Sequence, residues 1–279
     1  MNVTCTRVLE RAGWTVPLML LAVAAGWTAR AADGVIEINQ ASVDAAGGFP
    51  YTIDEPGSYR LTSDLTVPDT STSGIRIVAD DVTLDLSGFT ISSTNTCTDS
   101  GSALTCDATS GGTGVGSTSG SRLVVRNGTV RGFGFRGIEL GGTENRVEHV
   151  VATENGGDGI RIGGYGEVVD CISRRNARHG VLVESRSRVF GSTCAGNRWD
   201  GVNTSFFGVA VSECVLSDNG RSGADLRRSC LVIDNNVYAN EETGLDLETN
   251  CGYGRNVIAD NSGTVSGAAV EIGTNTCDG

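Results

Sequence analysis

Residues 155–175 read NGGDGIRIGGYGEVVDCISRR, and residues 176–196 read NARHGVLVESRSRVFGSTCAG. Written one above the other, these two stretches of 21 place Asn155 over Asn176, Gly159 over Gly180, Ile160 and Ile162 over Val181 and Val183, and Val168 over Val189. Apolar residues alternate with Arg161 in one copy and Leu182 in the next, the period-two pattern of a short strand with one buried face. The pattern continues in both directions. Asparagines recur at Asn155, Asn176, Asn197, Asn219, Asn240 and Asn261, and glycines open strands at Gly137, Gly159, Gly180, Gly201, Gly223, Gly244 and Gly267. Ile138/Leu140, Ala224/Leu226 and Leu245/Leu247 supply the apolar pairs, and Val202/Thr204 is the weak member.

Strands this short, joined by glycine turns with no run of helix formers between them, cannot make the helical crossovers that parallel sheets ordinarily need. Winding the chain into a solenoid removes the difficulty. Each strand then pairs with its own copy about 4.8 Å away in the next coil, and equivalent side chains line up in columns. The asparagines become a ladder whose amides bond to one another and to turn backbone, which makes them structural rather than catalytic. A leucine-rich repeat has a similar period, but here valine and isoleucine outnumber leucine at the inward positions. The expectation is an all-β, single-stranded parallel β-helix with 21 to 22 residues per coil and two or three strands in each.

The first coils are weaker copies, GIRIVADDVTLDLSGFTI (74–91) and RLVVRNGTVRGF (122–133), and the solenoid is expected over 74–279. A capping segment over 32–73, including FPYTIDEPGSYRLTSDLTV, should close its N-terminal end. Between them, the Ser/Thr/Gly-rich stretch 92–121 carries Cys97 and Cys106 and is expected to be a surface loop pinned by its own disulfide. Cys230 and Cys251 each lie ten residues before a ladder asparagine, so they should face each other across adjacent coils and bond. Cys171, Cys194 and Cys214 read as inward residues, either buried thiols or partly paired, with Cys277 as another possible partner.

Residues 1–31 read as a signal peptide, with Arg7 and Arg11 before an apolar run from Trp14 to Trp27 and small residues at Ala29, Ala31 and Ala32. Cys5 leaves with this leader, and the remaining even number of cysteines favours disulfides in an oxidising compartment. Cleavage would leave no membrane span and a chain that is extracellular, periplasmic or on the cell surface. The net charge is −12, and removing the leader brings it near −14, which excludes nucleic acid as a partner. There is no lysine, so every basic group is an arginine. The chain is expected to be a monomer.

The entry YTIDEPGSYRLTSDLTV, the coils DDVTLDLSGFTI and RNGTVRGF, and the NGGDGI-type repeats resemble the pectate-lyase-like superfamily of right-handed β-helix proteins. The resemblance runs from about Phe49 to the C-terminus. It implies the architecture, and it implies a partner of the extracellular polysaccharide class, bound or modified by a lyase, epimerase or hydrolase. The motifs do not choose among these reactions, and the alternative is a non-catalytic exported protein that binds glycan or serves the envelope.

The column just before the repeat glycine holds Arg136, Asp158, His179, Asp200, Ser222 and Thr243. An imidazole between two carboxylates can act as a general acid or base, so Asp158, His179 and Asp200 are the catalytic candidates. Arg136 and Arg161 are candidates for holding a uronate carboxylate, and Trp199 for a sugar platform. An Asp or His before glycine is also a common way to satisfy turn backbone. A second row, Asp225 and Asp246 with Glu248 nearby, is a candidate calcium site, weighed against a solvated acidic face. His149, beside Glu148, reads as a solvated mid-strand residue. Arg161, Arg174, Arg175, Arg178, Arg186, Arg188 and Arg198 form a basic zone in the middle coils that overlaps the candidate column.

Overall fold

The computed structural model describes residues 34–100 and 104–277. The expected leader lies outside them, and among the described residues no helix is long and apolar enough to cross a membrane. The chain is an all-β parallel solenoid. One sheet has ten strands, one per coil, and a second has nineteen, which run in pairs through most coils. A representative coil has the strands Glu167–Val169, Ile172–Arg174 and Val181–Val183.

Columns of like residues form the core. Val125, Val147, Val168, Val189, Val211 and Val232 pair in successive registers of the larger sheet, all fully buried. Each such valine contributes about 1.5–3 kcal/mol of apolar burial. A neighbouring column runs Val130, Ala152, Ser173, Cys194, Leu216, Val237 and Ile258. Its small members sit opposite the glycine column, where a Cβ on Gly159 would stand 2.0 Å from Ser173 Oγ. The glycines that open the strands are therefore required by close approach across a thin core.

Single residues in the left-handed region bend each coil. Glu154, Arg175, Asp218, Ala239 and Asp260 take φ of 53° to 57°, each just before a ladder asparagine. The bend turns the asparagine inward, where Asn155, Asn176, Asn197, Asn219, Asn240 and Asn261 donate amide to carbonyl oxygen in sequence at 2.7–3.0 Å. A second ladder, Asn235–Asn256–Asn275, follows the other bend at 3.0 and 3.1 Å. His149 occupies that second bend, at φ 52°, and is exposed.

Several expected boundaries move. In the described part of the capping segment, the strand Val35–Ile38 and the helix Gln40–Ala45, with Asn39 as N-cap and Val43 buried, precede the first coil. Tyr51–Ile53 and Gly57–Leu61 already pair as rungs. The insertion is shorter than expected, because Val115–Ser117 is a rung of the ten-stranded sheet. Its low strand propensity hid it. What remains is an antiparallel hairpin, Cys97–Asp99 with Leu104–Cys106, docked on the coils by a hydrogen bond from Arg175 Nη2 to the Cys97 carbonyl. Gly267 ends the last strand of that sheet instead of opening it, since it pairs with Leu247.

The two expected disulfides form, with Cα separations of 4.0 Å for Cys97–Cys106 and 4.4 Å for Cys230–Cys251. Cys171, Cys194 and Cys214 are buried free thiols, and Cys277 is exposed. Cys171 and Cys214 share a column with Ser192 between them, whereas Cys194 belongs to the neighbouring one.

Candidate functional site

The ten-stranded sheet turns one row of side chains outward: Arg76, Gly116, Glu139, Arg161, Leu182, Asn203, Asp225, Asp246 and Ser266. Beside it runs the turn column Arg136, Asp158, His179, Asp200, Ser222 and Thr243, held in register because each backbone carbonyl accepts from the glycine N–H of the preceding coil. The column expected from sequence therefore exists, and its members differ sharply in what they are free to do.

Arg136 and Arg161 are occupied. Arg136 Nε donates to Asp158 Oδ2 at 2.9 Å and its Nη1 to Glu139 Oε1 at 2.8 Å. Arg161 bridges Glu139 and Glu184 at 2.8 and 2.9 Å. Asp158 is completely buried, with its second oxygen 3.4 Å from the backbone N of His179. These groups form a self-neutralising network.

His179, Asp200, Asn203 and Asp225 are arranged differently. His179 Nδ1 lies 3.1 Å from Asp200 Oδ2, within ion-pair range but off the line of a straight hydrogen bond. The amide of Asn203 donates to Asp200 at 3.0 Å and to Asp225 at 3.2 Å, tying two carboxylates on adjacent coils through one nitrogen. Their environments pull them apart. Burial pushes the Asp200 carboxyl up, but contact with His179 and donors from the Ser222 backbone and Asn203 outweigh it and hold the group below the usual range. Asp225 is pushed up to about 6, first by burial and then by the charges of Asp200 and Asp246, with Arg227 only partly offsetting them.

The candidate calcium row is only partly brought together. Asp225 and Asp246 are register neighbours, but Glu248 is turned to Arg227 at 2.8 Å, and among the described residues no three acidic, histidine or cysteine side chains are grouped to hold a metal ion. Trp199 meets the edge of His179 with ring centroids 5.0 Å apart. Its faces are taken by Arg178 and Arg221, the equivalent residues of the preceding and following coils, at 4.5 and 4.9 Å from the ring centre. It therefore offers no open platform for a sugar ring.

With this architecture in view, comparison with known proteins is direct. Residues 61–206, more than half of the chain, match the family described as right handed beta helix region. The chain belongs to that family. No curated protein matches this β-helix in sequence at a significant level. Among solved structures it is similar to the Dettilon tailspike protein (TM-score 0.60, 13% identity, covering 85% of this chain and 57% of that one) and to pectate lyase Pel9A (0.56, 14%, 88% and 68%). It is also similar to the A-module of the Azotobacter vinelandii mannuronan C-5 epimerase AlgE4 (0.50, 16%, 86% and 90%). At these identities the likeness is one of fold.

Sequence reading missed Asn203 as the link between two carboxylates, and it weighed Asp225 between a calcium site and a solvated acidic face. It also missed that Arg221 stands in the same column as Trp199. The signal for both was present: Arg178, Trp199 and Arg221 each lie two residues before a repeat glycine, and Asn203 and Asp225 each lie two after one.

Proposed function

We propose that this β-helix is an exported protein that modifies an acidic polysaccharide by proton transfer on the outer face of its ten-stranded sheet. The observation that carries the reading is the linked set His179–Asp200–Asn203–Asp225, in which Asp225 is held at about 6 and its partner Asp200 low. Titratable groups driven apart by their surroundings are the usual mark of an acid and base assignment.

Near neutral pH Asp225 keeps a fraction of its proton. In β-elimination on a uronate, His179 takes the C5 proton, and the freed pair forms the C4–C5 double bond as the C4–O bond breaks. The departing glycosidic oxygen takes the Asp225 proton, which balances the step. Returning a proton to the opposite face of C5 without cleavage gives the epimer. Asp200 holds the imidazole, and Asp158 is a positioning residue that anchors the His179 backbone from beneath. The names of the similar pectate lyase and mannuronan epimerase support this class of substrate. Two disulfides and the leader-like N-terminus support export.

The test is incubation with pectate, alginate and related uronate polymers, with and without calcium, following unsaturated products, inverted C5 centres and reducing ends. His179→Gln and Asp225→Asn should each cost on the order of 10²-fold in rate, with circular dichroism unchanged. A non-catalytic binding role is the second reading, favoured by the ion pairs that close Arg136 and Arg161. It is established instead if the protein retains glycan on an array yet yields no product from any polymer.

A further inference from the structure

A groove of about 440 Å³ lies away from the sheet face, between the Cys97–Cys106 hairpin and the turns of the coils beneath it. Asp99 and Leu104 line it from the hairpin side, and Arg198, Trp199, Arg221 and Glu241 from the coils. Its volume is within the range of small-ligand sites. The space exists because the column of Arg198 is flanked by small residues. Ala177 precedes Arg198 on the coil before and Gly220 follows it on the coil after, as the hydrogen bonds from their backbones to Asn155, Asn176 and Asn197 show.

Two arginines line this groove, Arg198 and Arg221. On the coils nearby, Arg136, Arg146, Arg161, Arg175, Arg188 and Arg227 are each in an ion pair. Arg198 and Arg221 have no ion pair among the described residues, a condition they share with Arg174, Arg186 and Arg228, although Asp218 and Glu241 line the same groove. Arg178, which does not line the groove, has a buried Nε with no hydrogen-bond partner among the described residues. The guanidinium carbons of Arg178 and Arg221 lie 4.5 and 4.9 Å from the Trp199 ring centre, and this contact holds Arg221 against the groove wall. The planar N–H edge of a guanidinium suits a carboxylate, which accepts through two oxygens at once. Asp218 and Glu241, which form no ion pair with these arginines, are placed to accept from hydroxyl groups.

We infer that this groove is a second saccharide subsite, specific for a sugar that carries a carboxylate, with Arg198 and Arg221 beside Trp199 as its anchor. The inference rests on the reading that the protein acts on an acidic polysaccharide, and it adds where a unit outside the reacting one is gripped. Trp199 adjoins Asp200 in sequence and meets the edge of His179, so the groove wall is in contact with the proton-transfer groups. Stacking of the sugar on Trp199 has no part in it, because both ring faces are covered.

Trp199 is the only tryptophan among the described residues, which makes the site its own reporter. The experiment is a titration of the full chain with galacturonate and, separately, with galactose, following tryptophan emission, with Trp199→Phe identifying the signal from this ring. Galacturonate should change the emission in a saturable, salt-sensitive way and galactose should not. Arg221→Gln and Arg198→Gln, both at exposed positions, should weaken galacturonate about tenfold each, while Arg188→Gln should leave it unchanged. Equal responses to the two sugars, or unchanged affinity in Arg221→Gln and Arg198→Gln, would overturn the subsite. If galacturonate gives no response while uronate polymers are still processed, the subsite is wrong and the proposed function stands. If galacturonate binds as described and no polymer is processed, the proposed function fails and the subsite stands.

Discussion

The outward row of the ten-stranded sheet changes character halfway along the solenoid. From Arg136 to Glu184, every acidic group in contact with the row meets a guanidinium within 2.9 Å, and Glu139 meets two. From Asn203 to Asp246, carboxylates on adjacent coils face each other with only Asn203 between Asp200 and Asp225, and with Arg227 4.0 Å from Asp225. The backbone is the same in both stretches. What differs is whether a column that stacking forces together has complementary charges. Where it has, the result is rigidity, and where it has not, a carboxyl is left with its proton affinity raised. That second condition costs stability and is tolerated at sites of chemistry.

The contrast can be broken most severely at Arg136. Arg136→Met strands the fully buried Asp158 carboxylate, and the expected loss is about 3–5 kcal/mol in denaturant unfolding. Adding Asp158→Asn to that variant should recover most of it, because the stranded charge is then gone. A loss no larger than that of a surface ion pair would show that the first half of the row is not held by its charges.

The opposite sign is expected at Asp225. Its folded affinity for a proton lies at about 6, above the ordinary value of 3.8, so the folded state binds more protons between those two values and stability falls as pH rises through them. Asp225→Asn should therefore gain about 1–2 kcal/mol at pH 8, less than the shift alone implies because the carboxyl is partly solvated. The gain should disappear below about pH 4. Thermal melts at the two pH values check it. The smallest effect belongs to Asp246→Asn, which removes the weaker of the two acidic influences and should lower the Asp225 titration by a few tenths of a pH unit, as read by NMR.

Much of this architecture was legible because stacking repeats residue identity. Asn155 to Asn261 and the valines of the larger sheet announce themselves at intervals of 21 or 22. The second ladder was not legible, since its earlier rungs are Cys171, Ser192 and Cys214, different residues that accept the same backbone geometry. Val115–Ser117 was hidden because glycine and serine give no strand signal. The candidate column could be read, but the states of its members could not. Arg136 lies 22 residues from Asp158, and only the rotamers decide that it reaches that carboxylate and leaves none of its charge for a ligand. For the same reason the sequence offered Asp225 only as a calcium candidate or part of a solvated acidic face, and its burial and its tie to Asp200 through Asn203 were not legible.

Three consecutive coils each enclose one sulfur that no disulfide claims. Burial pushes the thiols of Cys171 and Cys214 up to about 12, and that of Cys194 is raised as well, so none offers a thiolate to an alkylating reagent while its coil is shut. Cys277, exposed at the surface, should take up label without any opening. The order in which the three interior sulfurs take up label during partial denaturation would thus record from which end the solenoid unzips, with no probe introduced.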